Sequence, residues 1–230
     1  MLSFLTVAAP AGRAGAQVGH SPENSPYRDI RNGTYLLFSG GYFAGNGGSL
    51  GVAPHDGPVV GLHLTFMGNR TVQVGLGMMY GHLQRLIQDP DRVPGQRTSG
   101  PVDASALWLD GFLHFNLAGG KTWNSLAPFM GVGTGVVFTE NAPPEDPVNY
   151  SLGTKFHFSP LFGTRLVLAP SWYLQVEARF QFWQIKYPTE YGLPPADDPL
   201  APPLLITSSA EWNVTPWIQT SLGWAFRWPF

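Results

Sequence analysis

The sequence predicts an all-β protein, specifically an antiparallel up-and-down transmembrane β-barrel. Charged residues make up only 12% of the 230-residue chain and aromatic residues 13%, whereas soluble proteins carry roughly 25% charged residues. The chain also contains 28 Gly and 22 Pro, which are the poorest helix formers. Segments of roughly ten to fifteen residues alternate apolar with small or polar side chains, which is the period of a β-strand.

Composition and charge exclude several other classes. The formal net charge of −2 gives no basic excess for nucleic acid, so we expect no nucleic-acid partner. The absence of cysteine rules out a disulfide framework and thiolate chemistry. No apolar run reaches the roughly 18 residues of a transmembrane helix. A closed barrel is the other structure that satisfies every backbone polar group in lipid.

The N-terminal residues resemble a short export signal. Leu2 to Ala9 form an apolar stretch, and Ala14-Gly15-Ala16 is a small-residue cleavage site before Gln17. We predict a signal peptide at 1–16, a polar lead-in at 17–32 and a barrel domain at 33–230. An unstructured N-terminal tail is the alternative for the first segment.

Nine segments show strand alternation from residue 34 onward. They are Thr34–Phe43, Val59–Met67, Thr71–Leu83, Ala106–Leu117, Leu126–Phe138, Lys155–Leu168, Tyr173–Trp183, Leu204–Trp212 and Trp217–Phe230. Bacterial single-chain barrels have an even number of strands. Because Leu204–Trp212 is short and irregular, we assign it to a long outer loop and predict eight strands. Ten strands is the alternative, if 84–103 contains another.

The connections between these segments alternate in length. Short turns are predicted at 68–70, 118–125, 169–171 and 213–216, and long segments rich in Gly, Pro and Asp at 44–57, 84–103, 140–152 and 187–203. Outer-membrane barrels show this rhythm, with short periplasmic turns and longer extracellular loops.

The choice between a barrel and a soluble sandwich depends on which face of each strand meets lipid. We predict that the apolar faces, represented by Leu62, Val74, Leu113 and Phe180, point outward. The opposite faces carry mainly Gly, Ser, Thr, Gln and His, which suit a crowded barrel interior. Aromatic residues near strand ends are expected to form two interfacial girdles; they include Tyr42, Phe43, Tyr80, Trp123, Phe138, Trp172, Tyr173, Trp183 and Trp217. In a soluble sandwich the apolar faces would instead pack together.

The inward-facing positions include several titratable side chains that we predict form an interior polar cluster. Its members are His63, Asp110, His114, His157, Arg165, Glu177 and Arg179. A hydrogen-bonded interior is the preferred interpretation, and a metal or acid–base site built from the three histidines is the alternative. We therefore predict no catalytic residue, no metal and no cofactor.

The C-terminal sequence GWAFRWPF resembles the assembly signal of bacterial outer-membrane barrels. Its alternate apolar positions are Trp224, Phe226, Trp228 and Phe230. The segments APFMGVGTGVVF and FHFSPLFGTRLVLAPSWYLQVEARFQF are similar to small barrels of the outer membrane protein A and W type. This resemblance implies eight strands, location in the bacterial outer membrane, and contact with outer-membrane lipid, lipopolysaccharide and the barrel assembly machinery.

The same region also resembles the lipid A 3-O-deacylase family. Members carry a His-x-Ser-Asn element after an aromatic strand, but Phe182 stands near the histidine position and Gln184 near the serine position. A serine needs an adjacent base to act as a nucleophile, and no histidine follows His157. We therefore predict a structural or small-ligand-interacting, non-catalytic barrel. The alternatives are a deacylase-like acyl hydrolase, a porin-like channel for small apolar solutes of the outer membrane protein W type, and a soluble lipid-binding β-protein.

Overall fold

The computed structural model describes residues 26–30, 33–67, 69–196, 198–205 and 209–226. Its long strands are β2 (Gly33–Asn46), β3 (His55–Met67), β4 (Val72–Gln88), β5 (Thr98–Asn116), β7 (Leu126–Thr139), β8 (Thr154–Ala169), β9 (Trp172–Lys186) and β10 (Ala210–Phe226). Two short strands, β1 (Tyr27–Asp29) and β6 (Lys121–Trp123), pair with each other. A 3-10 helix spans Thr189–Gly192. None of the helical residues described lies in a helix long and apolar enough to span a membrane.

The eight long strands form a closed barrel in which every neighbouring pair is antiparallel. The first and last strands close it, with Trp217 opposite Phe43 and Phe226 opposite Thr34. Closure pairs the backbone groups that an open sheet would leave exposed at its edges. The prediction of an eight-stranded up-and-down barrel is confirmed.

The last strand differs from its prediction. The turn predicted at 213–216 is wrong, because β10 runs without interruption from Ala210 to Phe226 and pairs with β9 throughout. Pro216 is tolerated inside it because pairing with β2 begins only at Trp217, so its missing N–H is not needed on that side. The predicted segment Leu204–Trp212 is therefore divided between the preceding loop and the start of β10.

The connections define two ends of the barrel. At the short-turn end lie the connections between β3 and β4, between β8 and β9, and the β6-containing segment between β5 and β7. At the long-loop end lie the segments 47–54, 89–97, 140–153 and 187–209. The first short turn is set by Asn69, whose side-chain oxygen accepts hydrogen bonds from the backbone N–H groups of Thr71 and Val72.

Apolar side chains cover the outer face of the barrel, as predicted. Leu62, Val74 and Phe180 are 38%, 48% and 40% exposed, and Leu113 is half-buried on the same face. The side chains between them are buried in the lumen, so the apolar faces do not pack together as a soluble sandwich requires. Trp172 and Trp224 neighbour each other on the outer face at the short-turn end, with ring centroids 6.3 Å apart.

Four aromatic residues predicted for the interfacial girdles lie inside the lumen instead. Phe43, Trp183 and Trp217 are buried near the long-loop end, and Tyr173 is buried near the short-turn end. Their strand parity is that of the inward-facing polar residues, and parity, rather than closeness to a strand end, decides which face they occupy. Tyr42, Tyr80, Trp123, Phe138 and Trp172 do point outward and are exposed.

We expect that Leu76→Arg destabilises the barrel by about 2–4 kcal/mol, the cost of a cation on the lipid face at mid-depth. On β4 the outward apolar positions run from Val72 to Tyr80, and Leu76, which is 62% exposed, lies at their centre. The measurement is urea unfolding of the barrel in lipid vesicles. The control is Leu117→Arg at the short-turn end, where the same cation should cost about 0–1 kcal/mol. Equal losses of unfolding free energy in the two variants would contradict the placement of the outward apolar residues of β4 in hydrocarbon.

Candidate functional site in the barrel lumen

The lumen is filled by three layers of side chains that follow one another along the barrel axis. Strand β9 contributes to each of them: Tyr173 near the short-turn end, Glu177 and Arg179 in the middle, and Trp183 near the long-loop end. We call these the basal layer, the polar layer and the aromatic layer. Because inward side chains alternate along every strand, neighbouring strands add residues to the same layers.

Arg179 is the centre of the polar layer. Its Nη1 donates to Asp110 Oδ2 and its Nε donates to Glu177 Oε1. All three side chains are at most 2% exposed. Gln219 Nε2 donates to Glu177 Oε1 at 3.1 Å, and Gln175 Nε2 donates to Glu177 Oε2 at 2.9 Å. The buried carboxylates are therefore compensated by charge and by neutral donors, as burial of charge requires.

The lumen contains a second guanidinium, that of Arg165, and the three side chains that accept its hydrogen bonds are all neutral. It donates to Gln175 Oε1 at 2.9 Å, to Asn116 Oδ1 at 2.7 Å and to His114 Nδ1 at 2.8 Å. Its carbon Cζ lies 4.1 Å from the centre of the Phe129 ring. Arg165 is thus held by hydrogen bonds and a cation–π contact.

These contacts fix the proton of His114. A guanidinium can only donate, so His114 Nδ1 accepts and the neutral ring carries its hydrogen on Nε2. That nitrogen lies 3.6 Å from Glu177 Oε2. The ring is stacked between Phe112 and Phe129, with both centroids 4.6 Å away. The 3.6 Å separation from Glu177 is longer than a hydrogen bond, so the two arginines are connected through Gln175, which accepts from Arg165 and donates to Glu177.

The other two histidines occupy different surroundings. His63 Nδ1 is hydrogen bonded to Ser39 Oγ at 2.8 Å, and Ser39 Oγ is 2.7 Å from Ser221 Oγ. The side chains of His63 and Asp110 pack against Gly77, where a Cβ atom would overlap with both of them. Neither ring nitrogen of His157 has a hydrogen-bond partner among the described residues.

All seven residues of the predicted interior cluster are therefore buried in the lumen. Asp110, His114, Arg165, Glu177 and Arg179 are linked by direct contacts or through Gln175. The histidines are not brought together as a metal site, and no group of three His, Cys, Asp or Glu side chains in the described part of the chain could hold a metal ion. The predicted cluster did not include Ser39, Asn116, Gln175 and Gln219, although they lie at inward-facing positions of their strands and bond to its members or to one another.

The aromatic layer closes the lumen above the polar layer. The Phe43 ring lies 5.2 Å from Trp108, 6.2 Å from Trp183 and 6.0 Å from Trp217, measured between centroids. All four side chains are at most 3% exposed. Beyond them the buried side chains of Val59, Met79 and Leu83 continue the same apolar core towards the loops.

The long loops pack on this core and form a cap. Arg85 Nη2 on β4 donates to Asp146 Oδ2 at 2.8 Å, with both side chains buried, and Arg85 Nη1 donates to the Tyr150 carbonyl at 3.0 Å. Tyr187 Oη donates to Glu211 Oε1 at 2.6 Å. Burial and this hydrogen bond raise the pKa of Tyr187 to about 12. The loops are thus bonded to barrel strands.

The deacylase-like positions lie outside the lumen. Phe182 and Gln184 are half-buried on the outward-facing parity of β9, and the Phe182 ring stacks on Phe158 with centroids 4.8 Å apart. Of the C-terminal signal, Trp224 is 42% exposed on the outer face, and Phe226 pairs with Thr34. Trp228 and Phe230 lie outside the described residues, as do the signal peptide at 1–16 and most of the lead-in at 17–32.

A closed eight-stranded barrel with apolar side chains on its outer face and charged side chains in its lumen is the architecture of a transmembrane β-barrel. The chain has the fold of an integral outer-membrane β-barrel. Outer-membrane barrels have short periplasmic turns and longer extracellular loops, so the short-turn end, where β2 begins and β10 ends, corresponds to the periplasmic end and the long-loop end to the extracellular one.

Comparison with solved structures agrees with this fold. The chain is similar to the outer membrane protein OprG from Pseudomonas aeruginosa, with a TM-score of 0.54 and 14% identity over 87% of this chain and 99% of that one. It is also similar to Neisserial surface protein A (TM-score 0.49, 9% identity, 88% and 98% covered) and to outer membrane protein W from E. coli (TM-score 0.45, 14% identity, 85% and 99% covered). No protein-family profile and no curated protein matches the chain. The likeness to OprG confirms the predicted fold.

Proposed function

We propose that this protein is a non-conducting outer-membrane barrel with a structural or small-ligand-interacting role and without catalytic activity. The observation that carries the proposal is the continuous filling of the lumen. An ion crossing the barrel would have to displace the cap, the aromatic layer and the Asp110–Arg179–Glu177 network in turn. Small barrels of about eight strands have interiors just wide enough for side chains to fill.

The proposal excludes the alternative of a channel for small apolar solutes. Such a solute would enter the aromatic layer from the extracellular side and then meet the polar layer. An apolar molecule forms no favourable interaction with a layer of paired charges. Its passage would separate the buried guanidinium from the two carboxylates, which costs several kcal/mol. The lumen therefore presents its highest barrier in the middle of the membrane.

We expect the purified barrel to show no conductance steps above the lipid baseline in planar bilayers. Insertion is verified by heat-modifiable gel mobility of the same preparation, and a general porin in the same bilayer serves as the positive control. Steady, single-size steps from this protein would contradict a filled lumen and would favour the channel alternative.

The non-catalytic part of the proposal is supported by the positions of Phe182 and Gln184 on the lipid-facing side. Ser39 and His63 do form a hydroxyl–imidazole pair, but both are buried in the packed polar layer. An acyl ester in the outer leaflet would have to enter that layer to reach them. Mass spectrometry of lipid A from cells with and without the protein tests this, and loss of an acyl chain only when the protein is present would overturn it.

The expected partners are proposals of the same kind. The outward apolar belt contacts outer-membrane lipid, and the extracellular half of the barrel faces the leaflet that contains lipopolysaccharide. We propose that the C-terminal alternation from Trp224 to Phe230 is recognised by the barrel assembly machinery. Exposure of Trp224 on the outer face of the closing strand supports this assignment.

A further inference from the structure

A cavity of about 310 Å³ opens at the periplasmic end of the barrel, between Ile30, the turn joining β8 to β9, and the basal layer. We call it the basal pocket. Its walls are largely apolar, formed by Ile30, Met67, Val167, Pro170 and Trp172. Its volume is at the lower limit of small-molecule sites, which run from about 300 to 1,000 Å³.

Two polar side chains of the basal pocket are buried. Arg165 and Tyr173 both line the cavity and are 1% and 4% exposed. The Tyr173 hydroxyl interacts with the side chains of Arg165 and Gln73 but makes no hydrogen bond of good geometry among the described residues. A guanidinium has five N–H donors, and the bonds from Arg165 to Gln175, Asn116 and His114 use three of them.

The charge of Arg165 distinguishes this pocket from an ordinary apolar gap. All three of its hydrogen-bond acceptors are neutral, and the nearest carboxylate in the network, Glu177, already accepts from Arg179, Gln175 and Gln219. A buried cation without a directly paired anion is costly. The other charged residue of the lining is Asp29, which is exposed to solvent. The deep surface of the pocket is therefore positive and its walls are apolar.

We propose that the basal pocket binds a single-chain amphiphile with one anionic head group. The head group accepts hydrogen bonds from the Arg165 guanidinium and from Tyr173 Oη, and the alkyl chain lies along Val167 and Ile30 towards the periplasm. A cavity of this volume holds one chain of medium length rather than a two-chain phospholipid. The inference names the ligand class for the small-ligand role proposed above and rests on that role.

The test uses the full-length barrel in nanodiscs of zwitterionic lipid and an octanoate probe with a diazirine at its terminal carbon. After irradiation, labelled residues are mapped by mass spectrometry. We expect labels at the pocket mouth, on Ile30 and Pro170, that are competed by unlabelled octanoate. The octanol probe of the same length should label these positions at least roughly tenfold less, because it cannot form the charge-assisted bonds. An octyl phosphate probe tests whether a phosphate head group is accepted equally.

Three variants assign the head-group contacts. Tyr173→Phe removes one hydroxyl that makes no hydrogen bond of good geometry within the protein, so it should leave the barrel folded and weaken octanoate binding by roughly three- to tenfold. Arg165→Gln should abolish the competed labelling. Arg165→Gln also removes hydrogen bonds within the polar layer, so a third variant leaves that layer intact. Asp29→Asn removes a negative charge at the pocket mouth that repels the anionic head group, and it should strengthen octanoate binding slightly.

Equal labelling by octanoate and octanol, or labels confined to outward residues such as Leu166 and Val176, would overturn the assignment and indicate partition into lipid only. Unchanged binding in Tyr173→Phe and Arg165→Gln would overturn it as well. The result is independent of the conductance experiment. A conducting barrel that still binds octanoate refutes the filled lumen alone, and a silent barrel that binds nothing refutes the pocket alone.

Discussion

Arg179→Met should destabilise the barrel by about 3–5 kcal/mol, the usual cost of removing one partner from a buried ion pair. Arg179 donates to both Asp110 and Glu177, and all three side chains are at most 2% exposed. Without the guanidinium, Glu177 keeps only the neutral donors Gln175 and Gln219, and Asp110 loses its side-chain donor. The measurement is the urea dependence of folding in lipid vesicles, followed by tryptophan fluorescence and gel mobility.

The matched control is Gln181→Met on the same strand and the same inward face. Gln181 is buried, and neither atom of its side-chain amide has a hydrogen-bond partner among the described residues. Its replacement should therefore change stability by less than about 1 kcal/mol. Neutralising the carboxylates together with the arginine, in Arg179→Met with Asp110→Asn and Glu177→Gln, should recover most of the loss. Similar stabilities for Arg179→Met and Gln181→Met would show that the network is not compensating buried charge.

The strand alternation in the sequence carries most of the information about this fold. The side-chain period of two assigns every residue of a strand to one face. For this reason the interior residues could be placed in the lumen without knowing which strands are neighbours; they are His63, Asp110, His114, His157, Arg165, Glu177 and Arg179. The same rule would have placed Phe43, Trp183 and Trp217 inside, because each shares parity with inward polar residues of its strand.

Contacts across the lumen could not be predicted in this way. Asp110 on β5 and Arg179 on β9 are separated by two strands in the sheet, and their contact depends on the diameter and stagger of the closed barrel. The basal pocket is equally hidden, because Ile30 reaches it through the pairing of β1 with β6. Neither three-residue strand is long enough to show alternation in the sequence.

Trp108→Ala should cost about 3–5 kcal/mol, the range for truncating a fully buried Trp. Trp108 is 1% exposed, and its ring centroid lies 5.2 Å from Phe43 and 5.3 Å from Trp217. Its loss leaves a cavity in the aromatic layer that rigid strands cannot collapse to fill. The control is Trp212→Ala, which removes a ring that is 61% exposed on the outer face. That change should cost at most about half as much, because little area is buried there.

The conductance of Trp108→Ala distinguishes the contributions of the layers. The polar layer lies below the cavity and keeps all its contacts, so we expect this variant to remain silent in planar bilayers despite its lower stability. Steady conductance would mean that the aromatic layer alone closes the barrel and that the Asp110–Arg179–Glu177 network permits ion passage. A silent but destabilised variant would instead show that closure is redundant, because paired charges at mid-membrane form a barrier of their own against both ions and apolar solutes.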